Sequence, residues 1–281
     1  MGTTFKVKNK LYSPNPKNVV RDTPIPINPP RGYFKKKEMR IDMRLILVAI
    51  FLILYTIFTI PMALVLWIIG KFDERKKAVA AQVCVKGGFK VILFLSGVKL
   101  TVKGRENIVK DRAALYAYNH RGFFDILVGY TTAPMPTAFV SKKEIEKTPM
   151  ISWWMKQMNC LFLDRENIKE GMKTILQGIE LLKNGTSIYI APEGTRNKGE
   201  ELLEFHEASF KLADKAKCPI IPVAINNTDE VFEKHLPWIH SAHVTIEYCE
   251  PVYMEEMERA EKKHVGEKVR EIIGEKVKAN A

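Results

Sequence analysis

The stretch "NHRGFFD", residues 119–125, places a histidine five positions before an aspartate. It follows the apolar run "AALYAYN" (113–119), which is typical of a buried strand. Polar residues at the end of such a strand face the crevice of an α/β sheet, where ligands usually bind. Residues five apart in a helix lie about 140° apart around the axis. His120 and Asp125 therefore meet only if His120 lies in a loop and Asp125 in the first helical turn.

This geometry makes His120 and Asp125 a candidate catalytic pair. The aspartate would accept a hydrogen bond from one ring nitrogen and leave the other nitrogen free as a base. Gly122 allows a tight turn between them. In the alternative reading, His120 caps the helix and Asp125 forms an ordinary surface pair.

A second group of polar residues, "APEGTRN" (191–197), follows the strand-like run "TSIYIA" (186–191). Glu193, Gly194, Thr195 and Arg196 combine a flexible turn, a hydroxyl and a planar cation. Arg binds phosphate through two parallel hydrogen bonds. The group therefore indicates a phosphate site, with an exposed surface loop as the alternative.

Two further strand-like runs end in basic residues. Arg165 closes "CLFLDR" (160–165), where it is either a second phosphate ligand or the partner of a neighbouring carboxylate. Lys142 and Lys143 follow "TAFVS" (137–141), although a lysine pair alone is more typical of a solvated surface. Pro222 in "IIPVAI" (220–225) argues against a central strand and favours a bend beside the cleft.

The pattern between these residues, strands alternating with helices, predicts an α/β domain. Residues 167–183 have Ile168, Met172, Ile175, Ile179 and Leu182 at helical spacing, which predicts one apolar face. The remaining β-type runs are "LTVKG" (100–104) and "HVTIEYC" (243–249). The boundaries expected are an N-terminal arm at 1–44, a membrane-associated region at 45–98, the main domain at 99–254 and a charged helix at 255–281.

The N-terminal part has a different composition. Residues 1–44 carry a net charge of +8 out of +12 for the chain, and six prolines in residues 1–34 favour an extended arm. Residues 45–70 contain no charged residue, and a helix of that length exceeds the ~30 Å core of a bilayer. Three arrangements are considered: a tilted span, a hairpin bent near Pro61 within one leaflet, and a buried core helix.

The charge and the cysteines restrict the classes of function. The basic excess lies in the arm and not beside the strand-end residues, which argues against nucleic-acid binding and favours an anionic membrane surface. Four cysteines without CxxC spacing argue against a zinc site or disulfide framework and favour a reducing, cytoplasmic location for the main domain.

Taken in order, the motifs resemble those of the glycerophospholipid acyltransferase family, the lysophosphatidic acid acyltransferases. "NHRGFFD", "CLFLDR", "PEGTR" and "IIPVAI" resemble the family's four blocks in order and spacing, from Asn119 to Ile225. The resemblance implies a mixed central sheet flanked by helices, with an N-terminal membrane-embedded helical segment. It implies transfer of a fatty acyl group from a thioester to the sn-2 hydroxyl of lysophosphatidate, with His120 as general base, Asp125 as its orienting partner and Asn119 as a residue that shapes the turn. In that reaction the backbone amides near Gly122 are candidates for stabilising the oxyanion.

The resemblance also implies the substrate contacts and partners. Arg165, Glu193, Gly194, Thr195 and Arg196 would hold the glycerol phosphate, with Lys142 as a further contact and Pro222 in a supporting motif. No bound cofactor or metal is expected. The donor is acyl-CoA or acyl-carrier protein, and the location is the cell membrane. Open alternatives are a family member using glycerol 3-phosphate or another lysophospholipid, and a non-catalytic phospholipid-binding membrane protein.

Overall fold

The structure is a computed structural model that describes residues 43–281. The predicted N-terminal arm lies almost entirely outside the described residues. All seven predicted strands form, each within two residues of its expected bounds. They are β1 (Lys99–Lys103), β2 (Leu115–Tyr118), β3 (Thr137–Lys142), β4 (Leu161–Leu163), β5 (Ser187–Ile190), β6 (Ile220–Asn226) and β7 (His243–Tyr248).

The strands form one sheet in the order β1-β7-β6-β2-β5-β3-β4. The pairs from β6 to β4 are all parallel, so the carboxyl ends of β6, β2, β5, β3 and β4 lie at the same edge. β7 runs antiparallel to β6 and parallel to β1. The predicted mixed sheet is therefore confirmed, and five successive strand ends meet along one edge.

Helices cover both faces of the sheet. The strands alternate in the direction of their side chains, so Tyr116 and Tyr118 of β2 join one apolar cluster while Leu115 and Ala117 join the other. The first cluster also takes side chains from the four helices α1 (Met43–Phe72), α2 (Glu74–Leu95), α3 (Phe123–Thr132) and α4 (Pro149–Gln157). The second takes them from α5 (Ile168–Lys183), α6 (Lys211–Ala216) and α7 (Val265–Ala279).

The helices α1 and α2 form an antiparallel pair that turns at Asp73. Asp73 has an extended backbone and caps α2 by accepting a hydrogen bond from Lys76 N at 2.9 Å. Tyr55 of α1 lies against Gly88 of α2, where a Cβ would approach the ring to 2.9 Å. Pro61 lies within α1, which is continuous, so the hairpin bent near Pro61 is not formed.

Both helices are long and apolar enough to cross a membrane. Most large apolar side chains of α1 are exposed, including Ile53, Ile60 and Trp67, which is unfavourable in water. α2 instead buries one side, with Ala81, Val85 and Ile92 in the core. The pair is therefore consistent with membrane association, and the fully buried core helix is wrong for α1.

Two helical predictions need correction. In α5 the residues Ile179 and Leu182 are buried, whereas Ile168 and Met172 are 85% and 57% exposed. The buried side is completed by small residues, because Gly171, Thr174 and Gly178 let the helix approach the sheet closely. The C-terminal α-helix begins at Val265 and not at 255; short 3-10 turns precede it.

Pro222 lies inside β6, a central strand, so the sequence argument against a central position is wrong. Its carbonyl accepts a hydrogen bond from Cys249 N at 2.9 Å, one residue beyond the end of β7. Two residues that face each other in this way would normally exchange two hydrogen bonds. The missing N–H of Pro222 therefore falls where the β6–β7 ladder is already ending, and the strand tolerates it.

The predicted domain boundaries at 98/99 and 254/255 stay predictions. Residues 42–281 group as one compact unit, and α7 is part of it, since Val265, Val269 and Ile273 are buried in the second cluster.

We predict that Gly178→Val lowers the free energy of unfolding by about 1–3 kcal/mol, because it overpacks the contact between α5 and the sheet. A Cβ at this position would lie 2.7 Å from Leu212 Cδ2 and 3.1 Å from Leu161 Cδ1. Gly274→Val in α7 is the matched control, since a Cβ there meets only Leu202 at 3.7 Å. Thermal unfolding of both variants in the same detergent tests this, and equal midpoints would contradict it.

Candidate active site

The candidate residues follow the strand ends that share one edge of the sheet. His120 follows β2, Glu193 follows β5, and Arg165 follows β4, while Lys142 is the last residue of β3. A fifth segment, residues 227–236, follows β6. The parallel pairing thus places residues that are far apart in sequence at one site.

His120 and Asp125 form the predicted pair. His120 lies in the loop after β2, and Asp125 lies in the first turn of α3. The distance from His120 Nδ1 to Asp125 Oδ2 is 2.8 Å. Because a carboxylate only accepts, Nδ1 carries the hydrogen and the lone pair is on Nε2. No group in residues 43–281 is hydrogen-bonded to Nε2, and the His120 side chain is 19% exposed.

Asp125 itself is buried and accepts hydrogen bonds from four donors. Besides His120, the backbone amides of Arg121 and Gly122 donate to Oδ2 at 2.7 and 2.8 Å, and the Thr228 hydroxyl donates to Oδ1. These bonds compensate the cost of burying the carboxylate. The Gly122 amide is thus already occupied, so the prediction that amides near Gly122 are free to stabilise an oxyanion is wrong.

Gly122 leaves space for a neighbouring side chain and does not provide an unusual backbone conformation. Its φ of −161° is an ordinary extended value, but a Cβ there would overlap the Glu233 carboxylate. The Glu233 Oε1 accepts a hydrogen bond from Phe123 N at 2.6 Å. A glycine therefore lets a carboxylate from the segment after β6 reach the start of α3.

The His120 backbone is held on both sides by the loop after β5. Glu193 Oε1 accepts from His120 N at 2.8 Å, and His120 O accepts from Asn197 N at 2.7 Å. Glu193 Oε2 accepts from Leu203 N at 3.0 Å. Burial of this side chain raises the pKa of Glu193. The expected contact of Glu193 with a phosphate is not supported, because its carboxylate is turned inward and positions His120.

Asn119 fixes the end of β2 against β6. Its side chain is fully buried, donates to Ile225 O at 2.9 Å and accepts from Ile225 N at 2.8 Å. The amide thus replaces a backbone pairing where β2 ends. Asn119 thus holds the residue position before His120 to the neighbouring strand.

Arg196 lies beside the histidine pair at the start of α3. Its guanidinium carbon lies 4.5 Å from the centre of the Phe123 ring, and Nη1 lies 3.8 Å from Glu233 Oε1. The side chain is 45% exposed, so it remains available to a ligand. Phe124 packs in the core, whereas Phe123 is 49% exposed at the site.

Arg165 and Lys142 lie on the other side of the same loop. Arg165 donates from Nη1 to Gly194 O, where Gly194 has a left-handed backbone with φ of +71°. Asp164 pairs with Lys143 at 2.9 Å and not with Arg165. Lys142 and Arg165 both line an open cavity of about 360 Å³.

The remaining predicted residues contribute less. The Thr195 side chain is exposed beside Arg196. Pro222 is paired with Ala117 within the sheet, three residues before His120 on the adjacent strand, and does not reach the site.

Sequence reasoning missed Thr228 and Glu233, which lie in the segment after β6. Thr228 is fully buried, and Glu233 Oε2 is buried without a hydrogen-bond partner in the described part of the chain. Burial raises the pKa of Glu233, and the nearby Asp125 adds to the effect. The available signal was the cluster of polar residues directly after a buried strand, as in the other strand ends.

A family model described as Acyltransferase matches residues 99–226, which include every candidate residue named in the sequence analysis. The matched segment is 128 of the 281 residues, just under half of the chain. The predicted resemblance is therefore confirmed at the level of the family.

The names of curated relatives agree with the match to the Acyltransferase model. The chain is 30% identical over 162 residues to a 1-acyl-sn-glycerol-3-phosphate acyltransferase of Borreliella burgdorferi. The aligned segment covers 58% of this chain and 63% of the relative. It is 28% identical over 199 residues to an enzyme of the same name from Saccharomyces cerevisiae. That alignment covers 70% of this chain and 65% of the relative. The matches thus span less than two thirds of the length of these relatives.

A solved structure has the same fold. The crystal structure of the 1-acyl-sn-glycerophosphate acyltransferase PlsC from Thermotoga maritima superimposes with a TM-score of 0.69. The match covers 84% of this chain and 96% of the other, at 24% identity. At that identity the likeness supports the fold, and it confirms the predicted α/β architecture with N-terminal helices.

We predict that Glu233→Gln becomes progressively more stable than the wild type as the pH rises from about 4 to 7. In the wild type the folded-state pKa of Glu233 is raised above the unfolded value of about 4.3. The folded state then binds more protons than the unfolded state, and stability is lost as the pH rises through the folded pKa. Glutamine does not titrate, so the Glu233→Gln variant does not lose stability in this way.

Thermal midpoints of both proteins at several pH values measure this difference. Glu275→Gln, which changes an exposed carboxylate of α7, is the matched control. A constant difference between Glu233→Gln and wild type across the pH range would contradict the prediction.

Proposed function

We propose that this chain is an O-acyltransferase that transfers a fatty acyl group from a thioester to the sn-2 hydroxyl of 1-acyl-sn-glycerol 3-phosphate, producing phosphatidate. The observation that carries the proposal is the 2.8 Å contact between His120 Nδ1 and Asp125 Oδ2, which leaves Nε2 free at the edge where Arg165 and Arg196 also lie. The names of the curated relatives, 1-acyl-sn-glycerol-3-phosphate acyltransferases, support the same substrate class.

The proposed reaction is a direct transfer. His120 Nε2 takes the proton of the acceptor hydroxyl while the hydroxyl oxygen attacks the thioester carbonyl. Asp125 stabilises the imidazolium that forms. The tetrahedral intermediate then expels the thiolate, which receives the proton from His120. A new ester bond forms, the C–S bond breaks, and His120 returns to its neutral form.

The acceptor phosphate would be bound by the basic residues around the loop after β5. Arg196 is placed nearest to the pair, over Phe123. Arg165 and Lys142 line the adjoining cavity, and Thr195 supplies a hydroxyl beside Arg196. Glu193 supports the site from below by holding the His120 backbone. This arrangement would orient the hydroxyl next to the phosphate toward Nε2.

The proposal includes a membrane location with the catalytic domain on the cytoplasmic side. Substrate and product are lipids, and the α1–α2 pair presents an apolar surface suited to a bilayer. The four cysteines have no paired spacing in the sequence, which favours a reducing compartment for the domain. The donor is acyl-CoA or acyl-carrier protein, both of which carry the acyl group as a thioester.

The second candidate is an acyltransferase of the same family with glycerol 3-phosphate or another lysophospholipid as acceptor. The same basic residues would bind those phosphates. Purified protein should therefore be assayed with lysophosphatidate, glycerol 3-phosphate and lysophosphatidylcholine, each with both donors. Faster acylation of either alternative acceptor would reject lysophosphatidate as the substrate.

We predict that His120→Ala lowers kcat by about 10²-fold or more, because the general base is lost. Asp125→Asn should also lower kcat, because an amide supports the wrong tautomer of His120. His264→Ala, at an exposed position before α7, is the matched control and should retain activity. Thermal unfolding checks that each variant is folded. Full turnover by folded His120→Ala would support a non-catalytic lipid-binding protein instead.

We predict that Arg196→Ala raises the apparent KM for lysophosphatidate by roughly tenfold or more, with a smaller effect on kcat, since a charged contact to the phosphate is lost. Steady-state kinetics with varied acceptor measures this. Arg112→Ala changes an exposed arginine paired only with its neighbour Asp111 and serves as control. An unchanged KM would remove Arg196 from the phosphate site.

A further inference from the structure

A second cavity, of about 470 Å³, lies between α2, the start of β1 and the carboxyl end of α3. Three basic side chains line it: Lys86 and Lys90 from α2 and Arg105 from the turn after β1. Apolar side chains, including Leu93 and Phe94, form the rest of the wall. None of the lining residues is acidic.

This cavity is separate from the candidate active site. Lys86 Nζ donates to Ala133 O at 3.1 Å, directly after the last turn of α3. Asp125 lies in the first turn of the same ten-residue helix, so roughly 15 Å of helix separates the two ends. The cavity therefore does not share its basic residues with the site that contains Arg165 and Arg196.

The three cations form an uncompensated cluster of like charge. Lys86 and Lys90 are four residues apart on α2, which places them on the same side of the helix. Both Lys90 and Arg105 are close enough to repel the Lys86 ammonium. Among residues 43–281 none of the three forms an ion pair with a carboxylate. The carbonyl at the end of α3 compensates only Lys86, so a bound anion would relieve the remaining repulsion.

The apolar wall indicates what kind of anion fits. Leu93 is buried beneath the cavity, whereas Phe94 is 81% exposed beside it. The hydroxyls of Thr131 and Thr132 are already bonded to carbonyl groups of α3 and to Tyr248. A ligand would therefore meet basic groups on one side and hydrocarbon on the other, without additional hydroxyl donors. A glycerolipid with a phosphate headgroup has both an anionic group and hydrocarbon. A free inorganic anion would contact the basic groups and leave the apolar wall without a partner.

We propose that Lys86, Lys90 and Arg105 bind the phosphate of an anionic glycerolipid headgroup, with its acyl chain against Phe94. The site is additional to the acceptor site and holds a lipid that is not consumed. It lies on α2, next to the helix pair with the exposed apolar surface, so the lipid would be a component of the surrounding membrane.

Native mass spectrometry of the purified full chain in nonionic detergent tests the proposal. The probes are dihexanoyl phosphatidylglycerol, dihexanoyl phosphatidylcholine with the same chains, and inorganic phosphate. We expect phosphatidylglycerol to bind at least roughly tenfold more tightly than phosphatidylcholine, and Lys90→Glu/Arg105→Glu to remove this preference. Equal binding of the two lipids by wild type would overturn the proposal.

Two controls separate this site from other basic surfaces. Lys262→Glu/Lys263→Glu makes the same change in net charge in the turn before α7 and should retain the preference. Arg196→Ala should retain it too; loss of the preference in Arg196→Ala would assign the lipid to the acceptor site. Inorganic phosphate that binds as tightly as the lipid would show that the ligand is free phosphate and overturn the lipid assignment.

Thermal midpoints confirm that the variants are folded. Lys90→Gln, which removes one exposed charge without reversing it, provides a milder second variant. It should weaken phosphatidylglycerol binding to a smaller extent than the double reversal. Unchanged phosphatidylglycerol binding in both folded variants would reject the site.

Discussion

The buried carboxylate of Asp125 is the constraint on which the local structure depends. A buried carboxylate is costly unless every lone-pair direction has a donor. Here the donors come from two separate parts of the chain: the imidazole and amides of the loop after β2, and the Thr228 hydroxyl after β6. Satisfying one side chain therefore fixes the loop, the start of α3 and the neighbouring segment in a single arrangement.

A layer of aromatic side chains supports this arrangement from below. Tyr118 contacts the His120 ring edge to face, with centroids 5.7 Å apart. Tyr189 and Phe139 are stacked at 4.7 Å on the adjacent strands, and Phe139 is stacked at 4.0 Å on Tyr130 of α3. Large planar rings leave few alternative packings, so the strands that carry the loops are held rigidly. Precise positioning of a base requires such support.

Negatively and positively charged side chains of the site lie at different depths. Its carboxylates, Asp125 and Glu193, are buried and directed at backbone amides or the histidine, while Arg196, Arg165 and Lys142 remain accessible. Glu233 lies between the two groups, bonded to Phe123 N and near Arg196. An anion beside Arg196 would thus meet an accessible cation, with the Asp125 and Glu193 carboxylates beneath it. The cavity of Lys142 and Arg165 is also lined by Glu144, Asp164 and Glu166, so this separation holds around His120 and not in that cavity. It would suit the phosphorylated acceptor and the histidine base that we propose.

The strands and the His120–Asp125 geometry could be predicted from the sequence, because they depend on local periodicity and on spacing along a helix. The order of the motifs was enough to predict the resemblance to the acyltransferase family. Contacts between distant segments could not be predicted in this way, because they depend on how the strands are arranged in the sheet. Which strands are neighbours decides that Glu193 points inward and that Thr228 and Glu233 lie at the site. It also decides that β6 can contain Pro222. The exposure of Ile168 and Met172 could not be predicted from the sequence either. An apolar helix face can pack on the protein or stay exposed, and the neighbouring elements decide which of the two occurs.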